Sequence, residues 1–330
     1  MQEQAIDVLI VGGGPAGLAA ALAIGCHRHN VTLFDNESPR ITSTSSFTGI
    51  NMLPAWSSAH TKNYILEARR DIRDHYPTVT LVDATIVKAE KVWAGDIMVT
   101  NSDGKCWVGK KLVIATGYED MLPDIPGYKE AWGKSIFHNL AYQGREAPRV
   151  GLLADNPAEI GLYHAKCAAQ LANRVTIYTN GDDKLQKLFI GDLLQVQRYC
   201  HKFFFDNRRI ISLQTDAGDT TLAKDIRIQL EDDTIVTEAF LVHTPQLKVK
   251  DTLKFSEDIH LELARDFNAK AGDSAARAPH YQTVDRGIFV AGDLVTRYKH
   301  MASAISSGCN VGISASIQLL QEKYEDWPHF

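Results

Sequence analysis

The sequence predicts an α/β fold that begins with a strand–turn–helix–strand unit. An aliphatic run over residues 7–11 predicts a buried strand, an Ala-rich stretch over 18–27 predicts a helix, and residues 31–35 predict a second strand. A second series of strands and helices follows Pro126, and a long helix is expected over 300–323. Because strands alternate with helices in both parts, the pattern is typical of α/β proteins.

The first turn carries a dinucleotide-binding fingerprint. Gly12, Gly14 and Gly17 have the spacing G-x-G-x-x-G between the expected strand and helix, and Asp35 ends the next strand. The first glycine permits a tight turn, the second lets the backbone approach a pyrophosphate, and the third allows close helix–strand packing. The helix N-terminus then faces the phosphates with N–H groups, and Asp35 can accept hydrogen bonds from a ribose.

The other elements follow from hydrophobic periodicity and turn residues. A helix is expected over 61–75, where apolar residues have helical spacing and Pro77 follows. The further expected strands cover 79–87, 97–100, 106–108, 111–116, 149–154, 174–179, 226–230, 234–241 and 288–291, and a further helix covers 157–172.

Length and charge restrict the function classes. A chain of 330 residues suggests two domains. It carries 35 Lys and Arg against 40 Asp and Glu, a net charge of −5, so nothing favours binding to nucleic acid or an anionic membrane. The apolar stretch over 8–25 contains Gly-Gly-Gly-Pro and lacks a basic flank, which argues against a signal peptide or membrane segment. We expect a cytoplasmic protein.

The cysteine pattern argues against zinc-knuckle and dithiol chemistry. No two cysteines have the C-x-x-C spacing, and the five are Cys26, Cys106, Cys167, Cys200 and Cys309. Neither a zinc knuckle nor a redox dithiol is therefore predicted, and we expect no metal site.

Three segments in order, at 12–17, 115–117 and 287–293, resemble those of thioredoxin-reductase-like flavoproteins, and the resemblance covers the whole chain. Within that group, three further stretches are most similar to the fungal gliotoxin-type dithiol oxidases, namely 136–138, 150–160 and 176–181. The resemblance implies FAD, a homodimer, and two Rossmann-like, three-layer ββα dinucleotide-binding domains, the second inserted into the first. Residues 1–117 and 246–330 would form the FAD domain, and residues 118–245 a degenerate NAD(P)H-binding-like domain.

The resemblance also implies which residues hold the cofactor. Asp293 would lie near the ribityl–phosphate part, and the helix that begins at His300 would aim its N–H groups at the flavin pyrimidine, where its dipole stabilises the anionic reduced flavin. The residues expected to hold FAD are Gly12, Gly14, Pro15, Ala16, Gly17, Asp35, Asn36, Arg40, Asn51, Ile86, Ala115, Thr116, Gly117, Gly292, Asp293, His300, Met301 and Ala302.

The second domain lacks the nucleotide fingerprint. When Pro157 is aligned with Pro15, the glycine positions hold Ala154, Asn156 and Glu159. Asp155 then stands where a bare backbone should meet the pyrophosphate, and an acid there repels phosphate. The strand that ends over 178–180 offers neither an acid for a ribose nor an arginine cluster for a 2′-phosphate. The sequence therefore predicts a domain that does not bind NAD(P)H, although residual use of that nucleotide stays open.

The dithiol that relatives hold against the flavin is also missing, because Asn139 and Tyr142 take the two cysteine positions. His138 is the first candidate base, and His300 is the second. Tyr142 would stack on the flavin or hydrogen-bond a substrate oxygen, and Asn139 would orient the substrate. The alternatives are that His138 only holds its loop, Tyr142 fills the gap, Asn139 is structural and His300 caps its helix.

These features favour an FAD-dependent oxidase that takes a hydride directly from a small organic, specialised-metabolite substrate and passes electrons to O2. Three alternatives stay open. The first is a redox-neutral isomerase or cyclase in which FAD would shape the pocket. The second is a non-catalytic flavoprotein that binds a metabolite. The third is an NAD(P)H-dependent reductase or monooxygenase.

Overall fold

The structure is a computed structural model, and its described residues form two compact units. It describes residues 5–38, 40, 53–54, 56, 61–138, 140, 146–155, 158–195, 200–215, 225–250, 253–256, 259, 279–296 and 299–324. The first unit takes its residues from 1–40, 62–119 and 247–330, and the second takes its residues from 41–61 and 120–246.

Strands and helices alternate along the described chain. The strands are β1 (Ile6–Val11), β2 (Val31–Asp35), β3 (Val79–Asp83), β4 (Ile86–Lys91), β5 (Ile97–Asn101), β6 (Cys106–Ile114), β7 (Tyr118–Met121), β8 (Ile136–Phe137), β9 (Ala147–Leu153), β10 (Ala172–Tyr178), β11 (Phe203–Asp206), β12 (Ile210–Thr215), β13 (Ile226–Leu230), β14 (Ile235–Glu238), β15 (Leu241–Val242), β16 (Gln246–Val249), β17 (Lys254–Phe255) and β18 (Ile288–Val290). The helices are α1 (Pro15–Cys26), α2 (Thr61–His75), α3 (Tyr128–Ala131), α4 (Ala158–Leu171), α5 (Asp183–Leu193) and α6 (Met301–Lys323).

The first unit has three layers around one sheet. Strands β3, β2, β1, β6 and β18 pair in parallel, whereas β4, β5 and β6 form an antiparallel meander. Side chains such as Ile10 and Leu33 pack with α1, α2 and α6 on one face. Side chains such as Leu9 and Phe34 pack with the meander residues Ile86 and Val99 on the other. This is the expected ββα layering.

The second unit repeats this layering. Its parallel sheet has the order β11-β10-β9-β15-β8, and a separate antiparallel sheet has the order β12-β13-β14. One core combines the parallel sheet with α4 and α5, and another combines it with α3 and strands β12 and β13. The fold class that the sequence predicts is therefore confirmed.

Individual elements agree with the sequence analysis to different degrees. The helix expected over 61–75 is confirmed, and α6 begins one residue later than expected. The stretch expected as one strand over 79–87 is two strands, because β3 pairs with β2 whereas β4, which follows two residues later, pairs with β5. The two strands expected over 106–108 and 111–116 are the single strand β6. None of the described helices combines the length and apolar character needed to cross a membrane.

Helices α1 and α6 approach each other closely through small residues. A Cβ atom at Gly308 in α6 would overlap the carbonyl oxygen of Ala16 in α1. One at Gly312 would lie 2.7 Å from the Ala23 Cβ and 2.8 Å from the Ala20 oxygen. The two helix backbones therefore leave no room for larger side chains at these positions.

We expect Gly308→Ala to destabilise the protein by about 1–3 kcal/mol, because the added methyl forces α1 and α6 apart. The matched control is Gly191→Ala in α5, where a Cβ would meet no atom within 4 Å. That change should be neutral or stabilise by up to about 1 kcal/mol, since alanine favours helix. Thermal unfolding of both variants measures the difference, and equal melting temperatures would contradict the close-packing argument.

Candidate functional site

The glycine-rich turn of the first unit is shaped by contacts that exclude side chains. Gly12 has φ of 114°, and a Cβ there would overlap the Ala115 carbonyl oxygen. A Cβ at Gly17 would overlap the Gly12 oxygen. At Gly14, by contrast, a Cβ would meet no atom within 4 Å. The turn is therefore packed on its inner side and open at Gly14, as a bound pyrophosphate requires.

Helix α1 starts at this open position. Gly14 is its N-cap, no side chain caps it, and the first helical hydrogen bond runs from the Leu18 N–H to the Gly14 oxygen at 3.0 Å. Pro15 has no N–H, so helix geometry leaves the Ala16 and Gly17 amides of the first turn without an intrahelical acceptor. This is the donor arrangement that binds anions at helix N-termini.

Asp35 is held at the end of β2 by a partner that the sequence analysis missed. Its side chain is nearly buried, and its Oδ2 lies 2.7 Å from Arg69 Nη1. Arg69 Nη2 also contacts Asp83 Oδ1 at 2.6 Å, and the Glu37 N–H donates to Asp35 Oδ1 at 3.2 Å. Each carboxylate oxygen keeps a second lone pair, which is where a ribose hydroxyl can donate.

The other expected residues at this edge differ in their surroundings. Asn36 is exposed, and its Oδ1 accepts from the Ser38 N–H at 3.2 Å. Ile86 begins β4 and is buried in the core of the first unit. Ala115, Thr116 and Gly117 connect β6 to β7, and Gly117 has φ of 70°. Asn51 lies outside the described residues.

Asp293 lies in a small polar cluster after β18. Its Oδ2 is 3.1 Å from Arg40 Nη1, and Gly292 before it has φ of 77°. The Lys299 Nζ donates to the Asp293 and Thr296 carbonyl oxygens, each at 2.5 Å. Burial lowers the pKa of Lys299, and the Asp293 carboxylate opposes that shift.

Tyr118 completes this cluster. The Lys299 Nζ is 5.2 Å from the centroid of its ring, and burial raises the pKa of the Tyr118 phenol. Neither Lys299 nor Tyr118 belongs to a motif, so the sequence analysis had no signal for them.

His300 caps α6, which is the alternative that the sequence left open. Its Nδ1 accepts from the Ser303 N–H at 3.1 Å, and its Nε2 is 3.2 Å from the Ser303 Oγ. Nδ1 therefore carries no proton in this arrangement. Met301 is buried and Ala302 half-buried in the first turn. The role of His300 as a base stays a prediction.

The described residues of the first unit fit a dinucleotide such as FAD. The opening at Gly14 admits phosphate, the α1 amides provide donors, and Asp35 provides acceptors for a ribose. The paired Arg40 and Asp293 offer a cation and an anion beside the next helix N-terminus.

In the second unit, histidine and aspartate residues follow the strands of the parallel sheet. Strands β8, β9 and β15 are neighbours in its sheet and run in parallel, so the residues after them share one edge. These residues are His138, Asp155 and His243. Asp155 follows the buried Ala154, and Glu159 is exposed in the first turn of α4. A carboxylate therefore stands next to the turn that would have to admit a phosphate.

A chain of three polar side chains occupies this edge. Tyr128 and His243 are buried, and the Tyr128 hydroxyl is 2.5 Å from the His243 Nδ1. The His243 Nε2 lies 3.8 Å from Asp155 Oδ2. Burial raises the pKa of the Tyr128 phenol, and the carboxylates of Asp120 and Asp155 add to this rise. The arrangement thus favours a phenol that donates to Nδ1 and an Nε2–H that faces Asp155.

The end of β10 offers no acid for a ribose, but it does lie near an arginine. The Thr179 Oγ1 donates to Asn207 Oδ1 at 2.6 Å, and the Asn180 Oδ1 accepts from the Ile210 N–H at 2.7 Å. A Cβ at Gly181 would lie 3.1 Å from the Cγ of Arg209, which is exposed. Sequence reasoning missed Arg209 because it is contributed by the next strand–loop segment.

The described residues contain neither a disulfide nor a cluster of metal ligands. The four cysteines whose side chains are described, Cys26, Cys106, Cys167 and Cys309, are free thiols. Within the described ranges, no group of three His, Cys, Asp or Glu side chains is arranged to hold a metal ion. Asn139 and Tyr142 lie outside the described residues, so their predicted roles stay predictions.

This chain is similar, over nearly all of the sequence, to fungal proteins that are named thioredoxin reductases. It is 34% identical to the thioredoxin reductase aclD of Aspergillus oryzae, over 97% of this chain and 98% of that protein. It is 32% identical to the thioredoxin reductase tcpT of Claviceps purpurea, over 96% and 95%.

Among solved structures, an oxidoreductase from Agrobacterium tumefaciens is 26% identical, with a TM-score of 0.77 over 96% of this chain and 99% of that one. A putative thioredoxin reductase TrxB from Bacillus anthracis is 21% identical and shares the fold, with a TM-score of 0.82 over 97% and 100%.

Residues 6–187 match the family described as pyridine nucleotide-disulphide oxidoreductase. The predicted recognition of a thioredoxin-reductase-like flavoprotein is thereby confirmed. This chain belongs to the pyridine nucleotide-disulphide oxidoreductase family.

Proposed function

We propose that this chain is an FAD-dependent oxidase that takes a hydride from a small organic substrate and uses O2 as the electron acceptor, without dithiol–disulfide chemistry. One contrast carries the proposal. The turn of the first unit is open at Gly14, whereas in the second unit the chain beyond β9 places the Asp155 carboxylate 3.8 Å from the His243 Nε2. A carboxylate at that place disfavours a pyrophosphate, which leaves the substrate as the electron donor.

The residues of the first unit have defined parts in this proposal. The Ala16 and Gly17 amides hold the pyrophosphate, and Asp35, kept in place by Arg69, accepts from the ribose. Amides at the start of α6 stabilise negative charge on the cofactor. When bound, FAD supplies a two-electron acceptor that O2 can reoxidise with release of hydrogen peroxide.

The substrate loses a proton together with the hydride, and we assign that proton to His138, with His300 as the second candidate. Asn139 and Tyr142 are proposed to contact the substrate. We also propose that residues 1–117 and 246–330 form the FAD domain and that residues 118–245 form a degenerate NAD(P)H-binding-like domain. The protein is further proposed to be a homodimer with a cytoplasmic location. The specialised-metabolite setting rests on the resemblance of this chain to fungal thioredoxin-reductase-like proteins.

An NAD(P)H-dependent reductase or monooxygenase is the second candidate function. Arg209 beside Gly181 favours it, because an arginine near the end of β10 is the kind of group that accommodates a 2′-phosphate. The family description, which names a pyridine nucleotide, supports the same alternative.

Anaerobic spectroscopy of the FAD-loaded protein separates these functions. We expect NADPH and NADH to leave the flavin oxidised, and a member of a panel of secondary alcohols and secondary amines to bleach it. Admission of O2 should then restore the colour and release hydrogen peroxide. Rapid bleaching by NADPH would overturn the oxidase in favour of the reductase, and product formed without bleaching or O2 uptake would indicate a redox-neutral isomerase or cyclase.

Gly14→Asp should abolish FAD binding while the protein stays folded. Its backbone has a negative φ of −74° and room for a Cβ, and aspartate is a preferred N-cap, so α1 should be at least as stable. The added carboxylate would, however, face the pyrophosphate. The matched control is Gly14→Asn, which has the same size without the charge and should keep more cofactor. Flavin absorbance and thermal unfolding of the purified variants are the measurements, and full flavin content in Gly14→Asp would contradict the assigned site.

His138→Ala should slow anaerobic flavin reduction by about 10²–10⁴-fold, as loss of a general base does, without changing flavin content. His75→Ala is the control, because His75 is an exposed residue at the end of α2. Stopped-flow reduction by the active panel compound gives the rates. An unchanged rate in His138→Ala would remove His138 from the mechanism and leave His300 as the candidate.

A further inference from the structure

We propose that Thr244 and His243 are positioning residues for His138, and that the polar chain at the edge of the second sheet serves this purpose. The inference rests on the proposed function in assigning the base to His138. Its geometry belongs entirely to the second unit.

The hydrogen bonds between β15 and β8 continue beyond both strands, to the residues that follow them. Strand β15 pairs in parallel with β8, with Val242 opposite Phe137. Beyond the strand, the His243 N–H donates to the Phe137 carbonyl at 2.9 Å. The Thr244 Oγ1 then donates to the His138 carbonyl at 3.1 Å. Two successive residues thus hold two successive carbonyls, the second through a side chain.

The buried His243 ring is hydrogen-bonded at one nitrogen and faces a carboxylate at the other. The Tyr128 hydroxyl lies 2.5 Å from Nδ1, and the Asp155 carboxylate lies 3.8 Å from Nε2. Tyr128 is fully buried and meets the His243 ring edge-on, at 5.6 Å between centroids. Burial of the ring and its hydrogen bond to Tyr128 keep the backbone of residues 243 and 244 in one place.

The same tyrosine reaches His138 through Trp132. Tyr128 stacks on Trp132 with ring centroids 5.7 Å apart, and Trp132 lies 6.1 Å from the His138 ring. His138 is therefore supported at its carbonyl by Thr244 and at its ring by Trp132, and both supports lead back to Tyr128.

Such support matters to a general base because proton transfer needs a defined direction. A displacement of about 1 Å at a reacting group costs roughly 10²-fold in rate. The edge of the sheet at which relatives would receive a nucleotide is, in this chain, used to hold the base.

The test compares Thr244→Val, which removes the hydroxyl at nearly constant shape, with Thr244→Ser, which keeps it. In the FAD-loaded protein with labelled histidine, we expect the His138 ring signals to broaden or split in Thr244→Val and to match the wild type in Thr244→Ser. Flavin reduction by the active panel compound should slow on the order of tenfold in Thr244→Val alone, with unchanged flavin content. His138 signals that superpose on those of the wild type in Thr244→Val would overturn the inference.

Tyr128→Phe provides a second variant, because it removes only the hydroxyl that faces His243. It should disturb the His138 signals in the same direction, and a wild-type spectrum would count against the role of the polar chain. The histidine spectra separate this inference from the proposed function. If His138→Ala reduces flavin normally while Thr244→Val still shifts the His138 signals, the base assignment fails and the positioning stands.

Discussion

The first unit depends on the close approach of α1 to its neighbours. Gly17 lets the helix backbone touch the turn at Gly12, and Gly308 lets α6 reach the same helix at Ala16. These contacts fix the N-terminus of α1 against the sheet on one side and against α6 on the other. The glycine-rich turn and the helix that begins at Met301 therefore pack against the same helix, and neither can shift without opening the core.

The sequence was sufficient for the features that depend on local pattern. The helical spacing of apolar residues predicted α2, and the spacing of Gly12, Gly14 and Gly17 predicted the turn before α1. Both are present in the structure, and the fold class followed from such elements. Helix α5 was missed although Leu185, Phe189 and Leu193 have the i, i+4, i+8 spacing of a buried helix face, and although Asp182 caps it through two backbone amides. Strand β6 was divided in the prediction because Gly109 and Lys110 interrupt its apolar run.

The site was less predictable, because its polar partners come from distant parts of the chain. Arg69 is 34 residues from Asp35, and Tyr128 is 115 residues from His243. No local pattern records such pairs, since they form only when strands and helices bring their ends together. The sequence did indicate that Asp155 is unsuited to a phosphate, but it could not show that His243 faces this carboxylate.

The charges around Asp293 connect the packing of the first unit to its chemistry. Lys299 is half-buried, and its ammonium donates to two backbone carbonyls, while the Asp293 carboxylate pairs with Arg40. Helix α6 begins at Met301, and its N-terminus is the positive end of the helix dipole. Arg40 is thus paired with the Asp293 carboxylate and Lys299 lies nearby, and burial of Lys299 opposes its charge by lowering its pKa. A surplus of positive charge that costs desolvation energy is stabilised when an anion binds beside it. Under the proposed function, a bound dinucleotide would supply such charge and its reduced anionic form would supply more, so these groups would also favour its acceptance of electrons.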